Sequence, residues 1–300
     1  MYQIENETLL LKVTSLGAEM KSLVNKKTGQ EYLWHADAAY WGRTAPILFP
    51  LVGNYKNKKS TFEGETYTMS QHGFARDMEF DFISQTEQEI WFALTSSEET
   101  LQTYPFHFCL AVGYRLKGRS VEVIWKVENT DKKVMYFSIG GHPAFNCPIR
   151  ADENQTAYKI AFDREESIVC SVIGEDGLLS DEKEEWKLSD GKLDITEHMF
   201  DQDALIIENH QAQKVALVTP SKEEYLTVEF DAPLFGIWSP KGKHAPFICI
   251  EPWYGRCDRS DFSGNLEERE WGNELEPGKE FEAGYTITIN QPLHTFLAEV

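Results

Sequence analysis

The chain has 300 residues, with 29 Lys and Arg against 49 Asp and Glu, a formal charge of −20, and 41% hydrophobic and 13% aromatic residues. That much apolar content excludes global disorder, and the length suits one large β domain or two ordinary ones. The acidity argues against nucleic acid, whose binding rests on neutralising phosphate, and against anionic membrane surfaces. A small anionic substrate is not excluded, since one local arginine cluster is enough for it.

The start, MYQIENETLL, has neither a basic stretch nor an apolar core, so no signal peptide is expected. No apolar run approaches the ~18 residues of a membrane helix. In chain order, short runs rich in β-branched and aromatic residues predict strands over 8–15, 67–74, 78–85, 89–96, 106–116, 120–129, 133–141, 158–163, 214–220, 225–231, 235–240, 247–253 and 284–289. The run SVEVIWKVEN shows the period well: Val121, Val123, Trp125 and Val127 share one face, and Glu122, Lys126 and Glu128 the other. Turn signals such as Lys117-Gly118-Arg119 separate the runs. Only short helices are expected, for example near 98–104. The acidic, turn-rich stretch 174–190 (GEDGLLSDEKEEWKLSD) reads as a surface excursion. Many strands without intervening helices predict an all-β fold, a large antiparallel β-sandwich, and the whole of 1–300 reads as a single domain. Cys109, Cys147, Cys170, Cys249 and Cys257 are widely spaced and form no C-x-x-C pair, which fits reduced thiols in a cytoplasmic protein.

Four places set polar residues among apolar ones. In WGRTAPILFPLVGN, Arg43 precedes two prolines; in SQHGFAR, His72 and Arg76 flank Gly73; in IGGHPAFN, His142 stands between two glycines and a proline; in FICIEPWYG, Glu251 ends an apolar run. MFDQDALII adds Asp201 and Asp203 before an apolar strand. Bland roles exist for most of these. Arg43 can satisfy carbonyls or pair with a surface acid, His72 can brace a turn, and either aspartate can be a strand-edge acid. Taken singly, each histidine suits a structural role better than a catalytic one, and His35, His107, His198, His210, His244 and His294 read as surface or packing residues. Glu251 is harder to dismiss, because a buried, unpaired carboxylate is costly. With no G-x-S-x-G, P-loop or dinucleotide fingerprint, two histidines and a carboxylate point to general acid/base work. Trp253 and Tyr254 add an aromatic platform for the apolar face of a sugar. His72, His142 and Glu251 are also a ligand set of non-haem iron type. Their wide separation speaks against that, so no metal and no cofactor are expected.

The pieces GRTAPILFPLVGN, QHGFAR, GGHPAFN, DALII and FICIEPWYG, in this order, resemble the aldose 1-epimerase (mutarotase) family, closest to its LacX-type branch, which is related to the hexose-6-phosphate 1-epimerases. The resemblance covers nearly the whole chain. It implies a β-sandwich of the galactose mutarotase type and interconversion of the α and β anomers of a hexose or hexose phosphate. By position it implies that His142 is the acid to the ring oxygen and that Glu251 takes the proton of the anomeric hydroxyl. It implies that His72 hydrogen-bonds the sugar near the anomeric centre and that Arg43 grips sugar hydroxyls. Asp203, with Asp201 as competitor, fills the aspartate position, and Arg76 is a further candidate substrate contact. GRTAP stands where phosphate-specific relatives carry an RGG form, so phosphorylation of the sugar stays open. The alternative is a non-catalytic carbohydrate-binding or regulatory module on the same fold. Oligomeric state is not readable from the residues.

Overall fold

The computed structural model describes residues 1–290; His294 lies outside them. The molecule is all-β and built on two large antiparallel sheets. The nine-stranded sheet runs, in spatial order, Lys192–Asp194, Lys159–Phe162, Lys214–Val218, Glu224–Phe230, Glu280–Ile289, Ser120–Asn129, Phe108–Lys117, Glu89–Thr95 and Asp81–Gln85. The eight-stranded sheet runs Leu179–Lys187, Ser167–Ile173, Leu205–Ile207, Leu234–Trp238, Phe247–Tyr254, Ile139–Gly141 and Ile47–Leu48, with Ala144–Asn146 also paired to Phe247–Tyr254. The helical content is slight; Glu98–Leu101 forms where a helix was expected, its start closed by a Ser97–Thr100 capping box. No helix among the described residues is long and apolar enough to cross a membrane.

Strand alternation assigns each face. Val121, Val123, Trp125 and Val127 of the nine-stranded sheet join one core with Phe235, Ile237, Ile248 and Ile250 of the eight-stranded sheet. The outer face of the nine-stranded sheet is polar, as the period predicts. The eight-stranded sheet differs, because its outer face is also buried. Leu48, Ile206, Leu234 and Trp253 form a second apolar cluster there, and Trp34, Ala144, Phe247 and Cys249 a third. Over its central strands this sheet has no polar side for water, so a carboxylate or imidazole on the outer face there is desolvated.

Two expectations need correction. The stretch 174–190 is not mainly a loop: Leu179–Lys187 is an edge strand paired with Ser167–Ile173. Most of its side chains are exposed, so no period marks it, and its charges are those of a sheet edge protected against further pairing. The strand expected over 67–74 stops at Thr68, and the chain turns before His72. Strands Met20–Asn25, Lys59–Phe62 and Ser167–Ile173 were not anticipated.

Candidate active site

Glu251 and His142 meet because of register. Ile139 and Gly140 pair with Tyr254 and Trp253; beyond Pro143, Ala144, Phe145 and Asn146 pair with Cys249, Ile248 and Phe247. The offset is the same on both sides of the break, so His142 lies across from Glu251. Pro143, with no N–H, weakens the ladder there, leaving the Ile250 N–H to donate to the Pro143 carbonyl at 3.4 Å, while the His142 backbone N–H faces the other neighbour and donates to the Pro46 carbonyl at 3.0 Å. Odd-numbered residues of Phe247–Tyr254 face outward, which puts Glu251 in line with Cys249 and Trp253. Gly140 answers for its place in the motif: a Cβ there would lie 2.6 Å from Trp253 Cδ1, and one at Gly236 would lie 2.5 Å from Trp253 Cη2. Trp253 therefore slots flat between two glycines and forms part of the floor.

Glu251 is 1% exposed and His142 7%. His142 Nε2 lies 3.3 Å from Glu251 Oε2. Neither His142 Nδ1 nor Glu251 Oε2 has a hydrogen-bond partner among the described residues. Burial pushes the Glu251 carboxyl well above the usual carboxylate range; the charge of Asp203 adds to the rise, and the Trp253 indole opposes it. Burial also depresses His142, to about 3, with Arg76 and then Arg43 working in the same direction. Both shifts run toward the neutral forms, a protonated Glu251 beside an uncharged imidazole.

His72 reaches the same cavity from another segment. Its residue sits at φ +66°, and Gly73 after it allows the turn to press against the chain at Phe49, where a Cβ would lie 2.2 Å from the Phe49 carbonyl oxygen. The Gly53 N–H donates to His72 Nδ1 at 3.0 Å, and the His72 N–H returns a bond to the Gly53 carbonyl at 2.8 Å. An accepting Nδ1 fixes the proton on Nε2, so His72 offers a donor. Its pKa is held well below 6.5 by burial, then by His142, Arg76 and Arg43. The two imidazole rings stand 5.6 Å apart, edge to face.

The arginines exchange the prominence the sequence gave them. Arg76 lines the cavity; its Nε has no hydrogen-bond partner among the described residues and lies 3.7 Å from Asp77 Oδ2, and one terminal nitrogen donates to the Gln71 carbonyl at 2.7 Å. Arg43 is not among the lining residues; it pairs with Asp77 at 2.8 Å, and the Glu19 carboxylate holds the adjacent loop by accepting from the Thr44 and Ala45 N–H groups. Both aspartates line the cavity. Asp203, at φ +71°, is the one close enough to raise Glu251. It is open to the cavity's solvent yet crowded by its walls, and this desolvation raises its own carboxyl. Asp201 is engaged with His198 Nδ1 at 2.9 Å.

Two aromatic residues escaped the sequence reading. Trp41 stacks on His142 with centroids 4.7 Å apart, and Trp238 meets it edge-on at 5.4 Å. Trp41 opens the same WGR piece that drew attention to Arg43, so its position beside a polar break was the available signal. Tyr254, expected beside Trp253 as part of a platform, points to the opposite face and packs on Phe281. As metal donors, His142, Cys249 and Glu251 bring their ligand atoms within 4.8 Å of one another; His72 is not in that group. Burial raises the Cys249 thiol well above its ordinary value, which disfavours the thiolate that a metal would need.

A family model described as aldose 1-epimerase matches residues 1–288. The chain is 33% identical over 299 residues to the chromosomal protein LacX of Lactococcus lactis subsp. lactis, covering 96% of this chain and 98% of that one. Among solved structures, a galactose mutarotase related enzyme from Lactobacillus acidophilus superposes with a TM-score of 0.91 at 37% identity, covering 97% of each chain. A galactose mutarotase-like protein from Lactobacillus casei ATCC 334 superposes with a TM-score of 0.90 at 32% identity, covering 97% of this chain and 100% of that one.

Proposed function

The chain belongs to the aldose 1-epimerase family, which supports a carbohydrate epimerase, and from that premise we propose that the His142–Glu251 pocket interconverts the α and β anomers of a hexose by opening and closing its ring. The observation that carries this reading is the buried, directly opposed imidazole and carboxyl, each with an unpartnered atom. Ring opening needs one group to take the proton of the anomeric hydroxyl and one to protonate the ring oxygen. The pair holds one proton and one free lone pair, which is what both steps together require.

In this mechanism a sugar hydroxyl approaching Glu251 stabilises its carboxylate, and the proton passes to His142. Glu251 then takes the O1 proton while His142 protonates the ring oxygen, and the C1–O5 bond breaks to give the open aldehyde. Rotation about C1–C2 presents the other carbonyl face, and the reversed transfers close the ring. His72 Nε2–H donates to a sugar oxygen near the anomeric centre, and Arg76 and Asp203 hold hydroxyls. Trp41 and Trp238 exclude water from the pair and keep it in a low dielectric, where proton positions are most sensitive to the ligand. We read residues 1–300 as one domain acting on a small sugar in the cytoplasm, without a cofactor. Exchange of a freshly dissolved α-hexose, followed by polarimetry or proton NMR with and without protein, tests the proposal. Faster exchange supports it; binding without acceleration across a broad sugar panel replaces it with a carbohydrate-binding role.

A further inference from the structure

Away from His142 and Glu251, the structure buries two arginine–carboxylate pairs: Arg256 Nε donates to Glu208 at 2.8 Å, and Arg269 Nε to Asp258 at 2.6 Å. All four side chains are nearly closed to water. A buried ion pair adds little net stability, because desolvation offsets the attraction, so the question is what geometry these charges fix. Glu208 spends its remaining capacity on Ser171 Oγ and the Trp271 indole. Asp258 instead holds the loop that meets His72. Resting on the anomer-exchange reading above, we propose that Asp258, oriented by Arg269, is a positioning residue for His72: it fixes the Gly53 peptide that keeps the His72 proton on Nε2, where it donates to the sugar.

Each step of the connection is a hydrogen bond or a packed backbone. Asp258 Oδ2 accepts from the Lys56 N–H at 2.8 Å, and the Asp258 N–H donates to the Asn54 carbonyl at 2.9 Å. Arg269 keeps the carboxylate turned that way. Besides Asp258 Oδ1, its fork reaches the Arg256 carbonyl at 2.6 Å, and its guanidinium lies 4.7 Å from the centre of the Tyr55 ring. The loop is pressed onto this segment, since a Cβ on Gly53, at φ +73°, would lie 2.6 Å from Cys257 Cβ. From Gly53 the bonds pass to His72 in both directions: the Gly53 N–H donates to Nδ1, and the Gly53 carbonyl accepts from the His72 N–H. Were the Gly53 N–H to turn away, Nδ1 would be free to take the proton, and Nε2 would meet the sugar as an acceptor. A carboxylate also accepts more strongly than a neutral amide oxygen, so the charge of Asp258 counts as well as its shape.

The test uses Asp258→Asn/Arg269→Gln, which removes both charges together and strands neither. The readouts are the nitrogen NMR shifts of the His72 ring without sugar, assigned by their loss in His72→Gln, and kcat/KM for hexose anomer exchange. In the wild type the shifts are those of an imidazole protonated on Nε2 alone. In the double variant they move toward a mixture of tautomers, and kcat/KM falls about tenfold, the worth of one or two net hydrogen bonds, mostly through kcat. In a His72→Gln background the same two changes alter kcat/KM by less than about twofold, because the residue they act through is gone. Glu208→Gln, which loosens the other buried pair, lowers the melting temperature and leaves the His72 shifts in place. If the double variant does not fold, Arg269→Lys replaces it under the same readouts, keeping the charge and losing the fork. Unchanged His72 shifts, or equal losses of rate with and without His72, overturn the positioning role and leave anomer exchange standing. A wild type that exchanges no hexose overturns the acid/base reading on which the role stands, whatever the shifts show.

Discussion

The two outer faces of the sandwich use the same kinds of residue to opposite ends. On the nine-stranded sheet, Arg115 pairs with Glu89 at 2.7 Å and Lys126 with Glu282 at 2.8 Å, all partly or largely open to water. On the eight-stranded sheet, Glu251 and His142 approach to 3.3 Å under two tryptophans, and burial shifts both toward their neutral forms. Water makes the first set ionised and of little consequence for the fold. Its exclusion makes the second set neutral and poised to exchange a proton. Burial rather than residue type separates decoration from chemistry.

The comparison breaks most visibly at the pair itself. Glu251→Gln and His142→Asn keep size and shape but cannot carry the proton. Each is expected to lower anomer exchange by roughly 10²–10⁴-fold, the usual worth of a positioned acid or base, with an unchanged far-ultraviolet circular dichroism spectrum. A near-normal rate in either variant removes that residue from the mechanism. The arginines come next. Arg76→Ala is expected to raise KM about tenfold to a hundredfold, as for a lost hydrogen bond to a charged group. Arg43→Ala, whose guanidinium already has Asp77, is expected to do much less. The reverse ranking would return the substrate-gripping role to Arg43.

Stability against pH sharpens the contrast further. Glu251 binds its proton more tightly in the folded chain than at its ordinary value of 4.5. Its contribution is therefore complete below 4.5 and is lost as the pH rises through the elevated folded value. Glu251→Gln, which never ionises, is expected to melt higher than the wild type, with the gap in Tm widening as pH rises above 4.5. His142 works the other way. Its folded value of about 3 lies below the ordinary 6.5, so the unfolded chain takes the proton first and wild-type stability falls as pH drops from 6.5 toward 3. His142→Asn is expected to flatten that acid limb. Thermal melts across this span check both signs, and a Glu251→Gln advantage that shrinks with rising pH would mean the carboxyl is ionised in the native state.

The same division explains what could be read in advance. Strands such as Ser120–Asn129 alternate because one side is core and the other is water, and their period was plain. The outer face of the eight-stranded sheet is buried, so Phe247–Tyr254 reads as a continuous apolar run in which Glu251 stands out as an exception. That exception was legible, as was His142 between glycines and proline. Their register was not, because it is fixed by pairing on either side of Pro143 and no local pattern records it. Trp41 and Trp238 were missed for a related reason: from the sequence they look like core, and only the fold sets them around His142. The edge strand Leu179–Lys187 was mistaken for a loop because it buries almost nothing and carries no alternation.

The smallest expected effect is the control for the whole comparison. Arg115 and Glu89 are about as well placed as exposed ions can be, with two hydrogen bonds at 2.7 and 3.2 Å. Yet their side chains remain 37% and 29% open, where water and salt screen most of the attraction. A double-mutant cycle of Arg115→Ala and Glu89→Ala is expected to give a coupling of about 0.2–1 kcal/mol, shrinking with added salt and leaving anomer exchange untouched. The two faces share one core, so a change in exchange rate on deleting this pair would mean that strain passes through it from one sheet to the other. Burial would then not suffice to explain why the chemistry sits where it does.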